Sequence, residues 1–281
     1  MDQARPSIAE KRLTFRKLHA SGCFVIPNPW DVGSARFLQG LGFKALATTS
    51  SGFAWSQGYA DNAITRDLAL AHLRDIVAAT DVPVNADFEN GFGIDAATVA
   101  QSVRMAVDTG VAGLSIEDST GDAARPLFEI AEAADRMRAA RSAIDQAGGD
   151  TLLVGRAECF LVGRPDLDET IRRLQAYAEA GADCLYAPGL RTPKQIAAVV
   201  AAVSPRPFNL LVGSASDLTV QAIAALGVRR ISVGGALARS AWGGFLRAAK
   251  ALAEHGTFSA FADAAPGGEL NAFFLADAKD R

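Results

Sequence analysis

The chain contains few cysteine and histidine residues. Of 281 residues, only three are Cys and three are His. Three scattered thiols are too few for a disulfide framework, and each lies in or beside an apolar strand candidate, so we interpret them as buried structural groups rather than catalytic ones. They are Cys23, Cys159 and Cys184. The three His fall in predicted helices, away from strand ends, which disfavours a zinc site.

Long apolar runs, basic clusters and nucleotide motifs are also missing. No window approaches the roughly 20 apolar residues of a membrane span, and Met1–Pro6 has no apolar signal segment. A net charge of −3, with Lys and Arg scattered, provides no basic field for nucleic acid. Neither a Walker A phosphate loop nor a dinucleotide-binding glycine fingerprint occurs at a strand-to-helix turn. We therefore expect a cytoplasmic protein that binds neither nucleic acid nor a membrane.

Eight short apolar runs alternate with helical segments. At four junctions a Gly follows an amphipathic stretch and precedes an apolar run, which is typical of a helix that ends on a left-handed Gly before a parallel strand. Eight such units predict a (β/α)8 TIM-type barrel, and a doubly wound open sheet is the alternative. The predicted strands are Cys23–Asn28, Ala45–Thr49, Val84–Asp87, Leu114–Glu117, Leu152–Arg156, Cys184–Ala187, Phe208–Leu211 and Arg230–Val233.

The length predicts one domain with a helical extension at each end of the barrel. Such barrels take about 250 residues, and 49% of this chain is hydrophobic, which suffices for one large core. A short apolar helix over Leu270–Leu275, beyond a Pro-Gly break, packs either on another subunit or on its own barrel. We interpret 1–281 as a single domain that consists of an N-terminal segment (about 1–20) with helix Ser7–Ala20, the barrel (21–240) and a helical tail (241–281). A further predicted helix, Ala236–His255, crosses the boundary between the barrel and the tail.

The strands in the middle of the chain end in acidic residues. Asp87 and Glu89 flank Phe88, so on an extended chain both carboxylates face the barrel mouth. Glu117 and Asp118 end the next strand, and Asp61 lies in the long segment after strand two, which we interpret as an extended loop, Ser51–Asp67. The carboxyl ends of parallel strands are where barrels bind ligands.

Several carboxylates near one point cannot all ionise unless a cation lies among them. Oxygen donors without His favour a hard ion, which we take to be Mg²⁺, with Mn²⁺ as the second choice. The alternative is that these acids cap helices or pair with Arg.

Arg156 ends strand five beside this acidic cluster. Its guanidinium is suited to binding a substrate carboxylate through two parallel hydrogen bonds, and the alternative is a salt bridge to Glu117 or Glu158. After strand two, the run Thr48–Gly52 supplies hydroxyls and a Gly at which backbone N–H groups can approach an anion.

Five segments, in order along roughly residues 20–240, resemble the isocitrate lyase/phosphoenolpyruvate mutase superfamily. The resemblance implies an α/β barrel whose eighth helix is exchanged between subunits, in dimers that pair into tetramers. It also implies Mg²⁺, a 2-oxo or 2-hydroxy acid, and an enolate-like species formed as a C–C or P–C bond is made or broken. The segments are Asn28–Asp31, Thr48–Gly52, Asn85–Gly93, Ser115–Asp118 and Gly155–Glu158.

The same resemblance implies roles for individual residues. Asp87 would be the main metal carboxylate, with Glu89, Glu117 and Asp61 acting largely through bound water. The implied substrate-binding residues are Ser51, Gly52, Phe53, Arg156 and Asn209, and the implied catalytic residues are Arg156, Asp61 and Glu117.

The loop after Glu117-Asp118 departs from the family pattern. Isocitrate and methylisocitrate lyases carry a Cys-Gly-His segment there, and phosphoenolpyruvate mutases carry a Lys and an Asn, but Ser119–Leu127 has none of these residues. Both of those activities are therefore disfavoured. The groups that could handle the proton stay open: Tyr59, Asp118, Glu158, Arg125 or a metal-bound water.

We therefore expect a Mg²⁺-dependent C–C lyase or decarboxylase that acts on a small 2-oxo or 2-hydroxy di- or tricarboxylate through a metal-stabilised enolate. One alternative is a phosphonopyruvate-type P–C hydrolase or mutase. The other is a non-catalytic protein that binds an oxo acid. We also expect a homo-oligomer, a dimer of dimers.

Overall fold

A computed structural model describes residues 5–279. Its eight strands are all parallel, in the order β1-β8-β7-β6-β5-β4-β3-β2. At the remaining seam, between β1 and β2, the Ala47 amide donates to the Pro27 carbonyl at 3.0 Å. The predicted barrel is thus confirmed, and the open sheet is excluded. The strands are β1 Phe24–Ile26, β2 Leu46–Ala47, β3 Val84–Asp87, β4 Gly113–Glu117, β5 Leu152–Arg156, β6 Cys184–Tyr186, β7 Phe208–Leu211 and β8 Arg230–Ser232.

Helices alternate with the strands, and most begin at a Ser, Thr or Asp whose side chain accepts a hydrogen bond from a backbone N–H of the first turn. The segment Ser51–Asp67, predicted to be an extended loop, instead includes most of the short helix α3 and the first two residues of α4. The helices are α1 Ile8–Ala20, α2 Val32–Gly40, α3 Ser50–Ser56, α4 Arg66–Ala79, α5 Ala96–Asp108, α6 Ile130–Gln146, α7 Leu167–Glu179, α8 Pro193–Val203, α9 Val220–Ala225, α10 Ala236–His255, a 3₁₀ turn Ser259–Asp263, and α11 Gly267–Lys279.

Helix α1 closes the amino-terminal end of the barrel. Its Phe15 is fully buried and packs with Ile26, Ala45 and Leu152 at the bottom of the strands. A Cβ at Gly113 would lie 2.6 Å from the Phe15 ring, so this β4 residue must be Gly for the ring to fit. With the bottom filled, the cavity described below lies at the carboxyl ends of the strands.

The two C-terminal helices differ in their contacts. Helix α10 exposes Phe245, Leu246 and Leu252. Helix α11 returns to α2 of the same chain, where Arg36 forms an ion pair with Asp277, and the two helices also pack through aromatic rings. Within the single chain, the apolar segment Leu270–Leu275 therefore packs on its own barrel. Between residues 5 and 279, no helix is both long enough and apolar enough to span a bilayer.

Candidate active site

A cavity of about 180 Å³ opens at the carboxyl ends of the strands. Its rim carries Ser50 and Ser51 from the start of α3, together with Asp61. Deeper in the barrel, Asn85 and Arg230 reach the same space. The cavity therefore connects Asp87 and Arg156, at the ends of β3 and β5, with side chains inside the barrel.

Asp87, the last residue of β3, is fixed by groups from two neighbouring elements. One of its oxygens accepts hydrogen bonds from the Ser50 amide at 3.0 Å and the Ser50 hydroxyl at 2.9 Å. The other accepts from Arg156 Nη1 at 3.1 Å. The Asp87 amide donates to the Thr48 hydroxyl at 2.9 Å. The end of β2 and the start of α3 thus set the position of this carboxylate in the cavity.

Arg156 lies among three carboxylates. Its guanidinium pairs with Asp87 at 3.1 Å, with Glu117 at 3.3 Å and with Glu158 at 2.5 Å. Burial alone would lower the pKa of Arg156, but Glu158 and Glu117 outweigh burial and raise the pKa well above its usual value. The salt bridges that the sequence offered as the alternative to substrate binding are therefore present in this structure.

Glu117 and Asp118 point to opposite sides of the barrel wall, as neighbouring strand positions do. Glu117 is buried, and burial raises its pKa well above the usual range. Asp118 accepts hydrogen bonds from the Tyr177 hydroxyl at 2.5 Å, from Arg173 at 3.0 Å and from the Glu158 amide at 2.8 Å. Asp118 therefore ties β4 and β5 to α7.

Glu89 lies just beyond the end of β3. Its φ of 47° is in the left-handed region, which is uncommon for a residue with a side chain. The extended-chain argument from the sequence therefore fails past Asp87. The side chain is buried, and its Oε1 has no hydrogen-bond partner among the described residues. Burial, followed by the charges of Asp87 and Asp61, raises the pKa of Glu89 to about 8.

Asp61 lies at the rim of the cavity, in the segment between α3 and α4. Desolvation, followed by the charge of Asp87, raises its pKa. Asp61, Asp87 and Glu89 therefore all lie close enough to repel one another, and a cation between them would relieve that repulsion.

Of the predicted substrate-binding residues, two line the cavity, and the other three lie behind its wall or deeper in the barrel. Ser51 lines the cavity together with Arg156. Gly52 is buried, and its amide donates to the Thr49 hydroxyl at 3.3 Å. The Phe53 ring stacks on His72 with ring centroids 3.9 Å apart. Asn209 is fully buried inside the barrel, where it donates to Ser232 at 2.9 Å.

The remaining candidates for proton transfer lie away from the cavity or are already paired. Tyr59 is 48% exposed and borders a surface hollow beside Trp242. Arg125 forms an exposed ion pair with Glu132. Glu158 is paired with Arg156.

The donor set suits a hard cation held largely through water. Within residues 5–279, no three His, Cys, Asp or Glu side chains come close enough together to ligate a metal ion. One direct carboxylate together with water-linked acids is a common arrangement for Mg²⁺, which keeps several of its waters, and here Asp87 would be that carboxylate. The unpartnered Glu89 oxygen is a buried acceptor that such a water would satisfy. The residues present therefore fit Mg²⁺.

Two residues that line the cavity, Asn28 and Arg230, are not among the predicted site residues. Asn28 joins three strand ends: its amide nitrogen donates to the Thr48 carbonyl, and its oxygen accepts from Val233 and Gly234, each at 2.9 Å. Arg230, the first residue of β8, is 2% exposed yet reaches the cavity. The signal in the sequence for Arg230 is a charged residue that opens a buried strand, at the end opposite to the acidic residues.

Comparison with known proteins places these features in a family. The family model described as phosphoenolpyruvate phosphomutase matches residues 15–253. A crystal structure from Burkholderia cenocepacia J2315, assigned provisionally as a lyase or mutase, is 49% identical, covers 95% of this chain and 97% of its own, and has a TM-score of 0.92. An uncharacterised protein of Mycobacterium tuberculosis is 33% identical over 79% of this chain and 82% of its own length.

Three further relatives are named for an activity. The 2-methylisocitrate lyase of Escherichia coli is 36% identical over 56% of this chain and 54% of its own length. The oxaloacetate decarboxylase of Bradyrhizobium diazoefficiens is 31% identical over 66% of this chain and 65% of its own. A phosphonopyruvate hydrolase, solved with oxalate and Mg²⁺, is 27% identical, covers 96% of both chains and has a TM-score of 0.82.

Proposed function

Because the chain belongs to the phosphoenolpyruvate phosphomutase family, within the isocitrate lyase/phosphoenolpyruvate mutase superfamily, we propose that it is a Mg²⁺-dependent lyase or decarboxylase. Its substrate would be a small 2-oxo or 2-hydroxy di- or tricarboxylate, cleaved at a C–C bond. A 2-methylisocitrate lyase and an oxaloacetate decarboxylase among the curated relatives support this choice.

The observation that carries the proposal is the small cavity at the barrel mouth, where Asp87 and Arg156 meet. Its volume of about 180 Å³ is below the roughly 300 Å³ at which pockets for drug-sized ligands begin. A short acid fits this space. The mouth is also the end at which barrel enzymes carry out their chemistry.

The acidic residues in and beside the cavity would hold the metal ion. Asp87 would hold Mg²⁺ directly, with Glu89, Glu117 and Asp61 acting through water; when bound, the ion would stabilise negative charge that develops on a substrate oxygen. The Ser51 hydroxyl would donate a hydrogen bond to the same oxygen.

Arg156 would orient the carboxylate next to the reacting carbon. Its three acidic partners hold the guanidinium in place at the edge of the cavity. Gly52 and Phe53 would support the wall behind Ser51. Position 52 must be Gly for this close packing, because a Cβ there would lie 2.7 Å from Thr49 Cγ2.

The test is a turnover screen of 2-oxo and 2-hydroxy di- and tricarboxylates, with phosphonopyruvate included, in Mg²⁺ and again in EDTA. Pyruvate, glyoxylate, oxalate, CO₂ and phosphate would be read out. Metal-dependent release of a C–C cleavage product supports the proposal and identifies the substrate. Release of phosphate from phosphonopyruvate would contradict the proposal and indicate a P–C hydrolase. Binding of an acid without any product would contradict it and indicate a non-catalytic binding protein.

We also propose that the protein assembles in the cytoplasm as a dimer of dimers that exchange α10. The exposed apolar side chains of α10, Phe245, Leu246 and Leu252, support this arrangement. Light scattering coupled to gel filtration measures the mass directly. A monomer at micromolar concentration would contradict the exchange.

A further inference from the structure

Arg230 is a buried cation whose partners inside the barrel are neutral. Its Nε donates to the Asn209 oxygen at 2.7 Å, and its Nη1 donates to the Asn85 oxygen at 3.2 Å. The amide nitrogens of both asparagines are also bonded, to the Ser232 hydroxyl at 2.9 Å and the Ala86 carbonyl at 3.0 Å. These bonds orient each amide oxygen toward the guanidinium, which is therefore held in one position by β3 and β7.

The charge of Arg230 is not balanced by a nearby acid. No ion pair recorded among residues 5–279 involves Arg230, whereas Arg156 has three. Burial lowers the pKa of Arg230, because the cation is removed from water. An isolated buried charge is costly unless an anion accompanies it. A binding partner that brings a negative charge would remove this cost.

The cavity gives such an anion access to Arg230. Arg230 lines the same 180 Å³ space as Asp87, Arg156 and Ser51. Within residues 5–279 its Nη2 makes no hydrogen bond, yet this nitrogen is not fully enclosed by protein atoms. This nitrogen is therefore open to the cavity while the rest of the guanidinium is fixed. That is the geometry of a preorganised donor for a carboxylate.

We propose that Arg230 binds the second carboxylate of a dicarboxylate, the one remote from the reacting end of the substrate. The inference rests on the proposed function for the position of the first carboxylate, next to Asp87, Arg156 and Ser51. It narrows the substrate to acids that carry two carboxylates a few carbons apart. The asparagines position the guanidinium, and Arg230 itself supplies the charge that selects a dicarboxylate over a monocarboxylate.

The experiment compares two stable 2-hydroxy acids that differ by one carboxylate, malate and lactate, by calorimetric titration with Mg²⁺ present. In the wild type we expect malate to bind about ten- to hundredfold more tightly than lactate, as a charge-assisted hydrogen bond in a buried site allows. In Arg230→Gln, the malate-to-lactate ratio should fall to near one, while lactate affinity changes less than about threefold. Arg230→Lys, which keeps the charge without the planar fork, should give an intermediate ratio.

Arg229→Gln is the matched control, because this neighbouring Arg donates outside the barrel to the Gly22 carbonyl. It should leave the ratio unchanged. Thermal melting of each variant verifies folding, and if Arg230→Gln does not fold, Arg230→Lys decides the question. An unchanged ratio in a folded Arg230 variant, or an equal loss for both acids, would overturn the inference.

Oxalate separates this inference from the proposed function, because two adjoining carboxylates bind at the Mg²⁺ end without reaching Arg230. Mg²⁺-dependent oxalate binding with no preference for malate over lactate would overturn the inference and keep the proposed site. Preferential malate binding with no turnover of any acid would keep the inference and overturn the proposed catalysis. Wild-type protein that binds none of the three acids would overturn both.

Discussion

The two halves of the barrel mouth are built from opposite chemistry. Strands β3 to β5 end in acids gathered around Arg156. Strands β6 to β8 contribute Tyr186, Asn209, Ser232 and Arg230, which carry no negative charge at neutral pH, and burial raises the pKa of Tyr186 to about 12. The acidic half needs a cation and the other half needs an anion. A metal ion and a dicarboxylate together satisfy both.

The halves also differ in how they are supported. The acidic half is held from outside the barrel, where Asp118 is bonded to Tyr177 and Arg173 of α7. The other half is held from inside, where Arg230 connects β8 with Asn209 and Asn85. In the described part of the chain, Arg230 touches the acidic half only through Asn85 of β3, so substitutions in the outer support around Asp118 should leave the other half largely intact.

Asp87→Ala should give the largest effect and disable only the acidic half. We expect Mg²⁺ binding to be lost and turnover of the identified substrate to fall at least about a thousandfold, because the direct metal carboxylate is removed. Calorimetry measures the metal affinity, and circular dichroism verifies the fold. Asp122→Asn, an exposed acid in the loop after β4, is the control. Normal metal binding by Asp87→Ala would disprove the site.

Arg156→Lys should weaken the acidic half without removing its charge. An ammonium cannot present the planar fork of Arg, so we expect kcat/KM to fall about ten- to hundredfold. The exposed Arg125→Lys is the matched control. If steady-state kinetics give unchanged kcat and KM, Arg156 only balances the charge of its acidic partners.

Tyr177→Phe tests the outer support of the acidic half. The change removes the hydroxyl that donates to Asp118, so the free energy of unfolding should drop by about 1 to 2 kcal/mol. Urea unfolding measures the difference. The malate-to-lactate binding ratio, which depends on the other half, should not change; a changed ratio would show that the two halves are coupled.

His72→Gln should give the smallest effect, seen in the pH dependence of stability. Burial lowers the pKa of His72 to about 4, against an ordinary value of 6.5. The unfolded chain therefore binds more protons between these values, and stability falls as the pH drops. From pH 6 to pH 5 the wild type should lose about 1 kcal/mol more than the variant. Chemical unfolding at each pH tests this, with the exposed His255→Gln as control.

Much of the architecture could be predicted from the sequence because buried parallel strands are continuous apolar runs. Strands β3, β5 and β7 have the predicted bounds, and α10 has its predicted ends. Helix α3 was missed because Ser50–Ser56 is short and begins with Ser-Ser-Gly, a composition typical of loops. The single-domain interpretation, the cytoplasmic location and the oligomer stay predictions.

The site was less predictable than the fold because the direction in which each side chain points decides whether it reaches the cavity. Strand alternation could have separated Glu117 from Asp118, since neighbours face opposite sides. The left-handed backbone at Glu89 has no such signal. The hydrogen bonds of Arg230 could not be predicted from the sequence, because Asn85 lies 145 residues away along the chain and Asn209 lies 21 residues away.

Amide hydrogen exchange at the β1–β2 seam should report whether a ligand is bound in the cavity. The Ala47 amide that bonds across it lies three residues before Ser50, whose amide and hydroxyl hold Asp87. Local opening of a weakly joined edge sets the rate at which its amide hydrogen exchanges with deuterated water. A ligand that stiffens Asp87 should slow exchange at Ala47, so deuterium uptake by this one peptide would record binding without any labelled substrate.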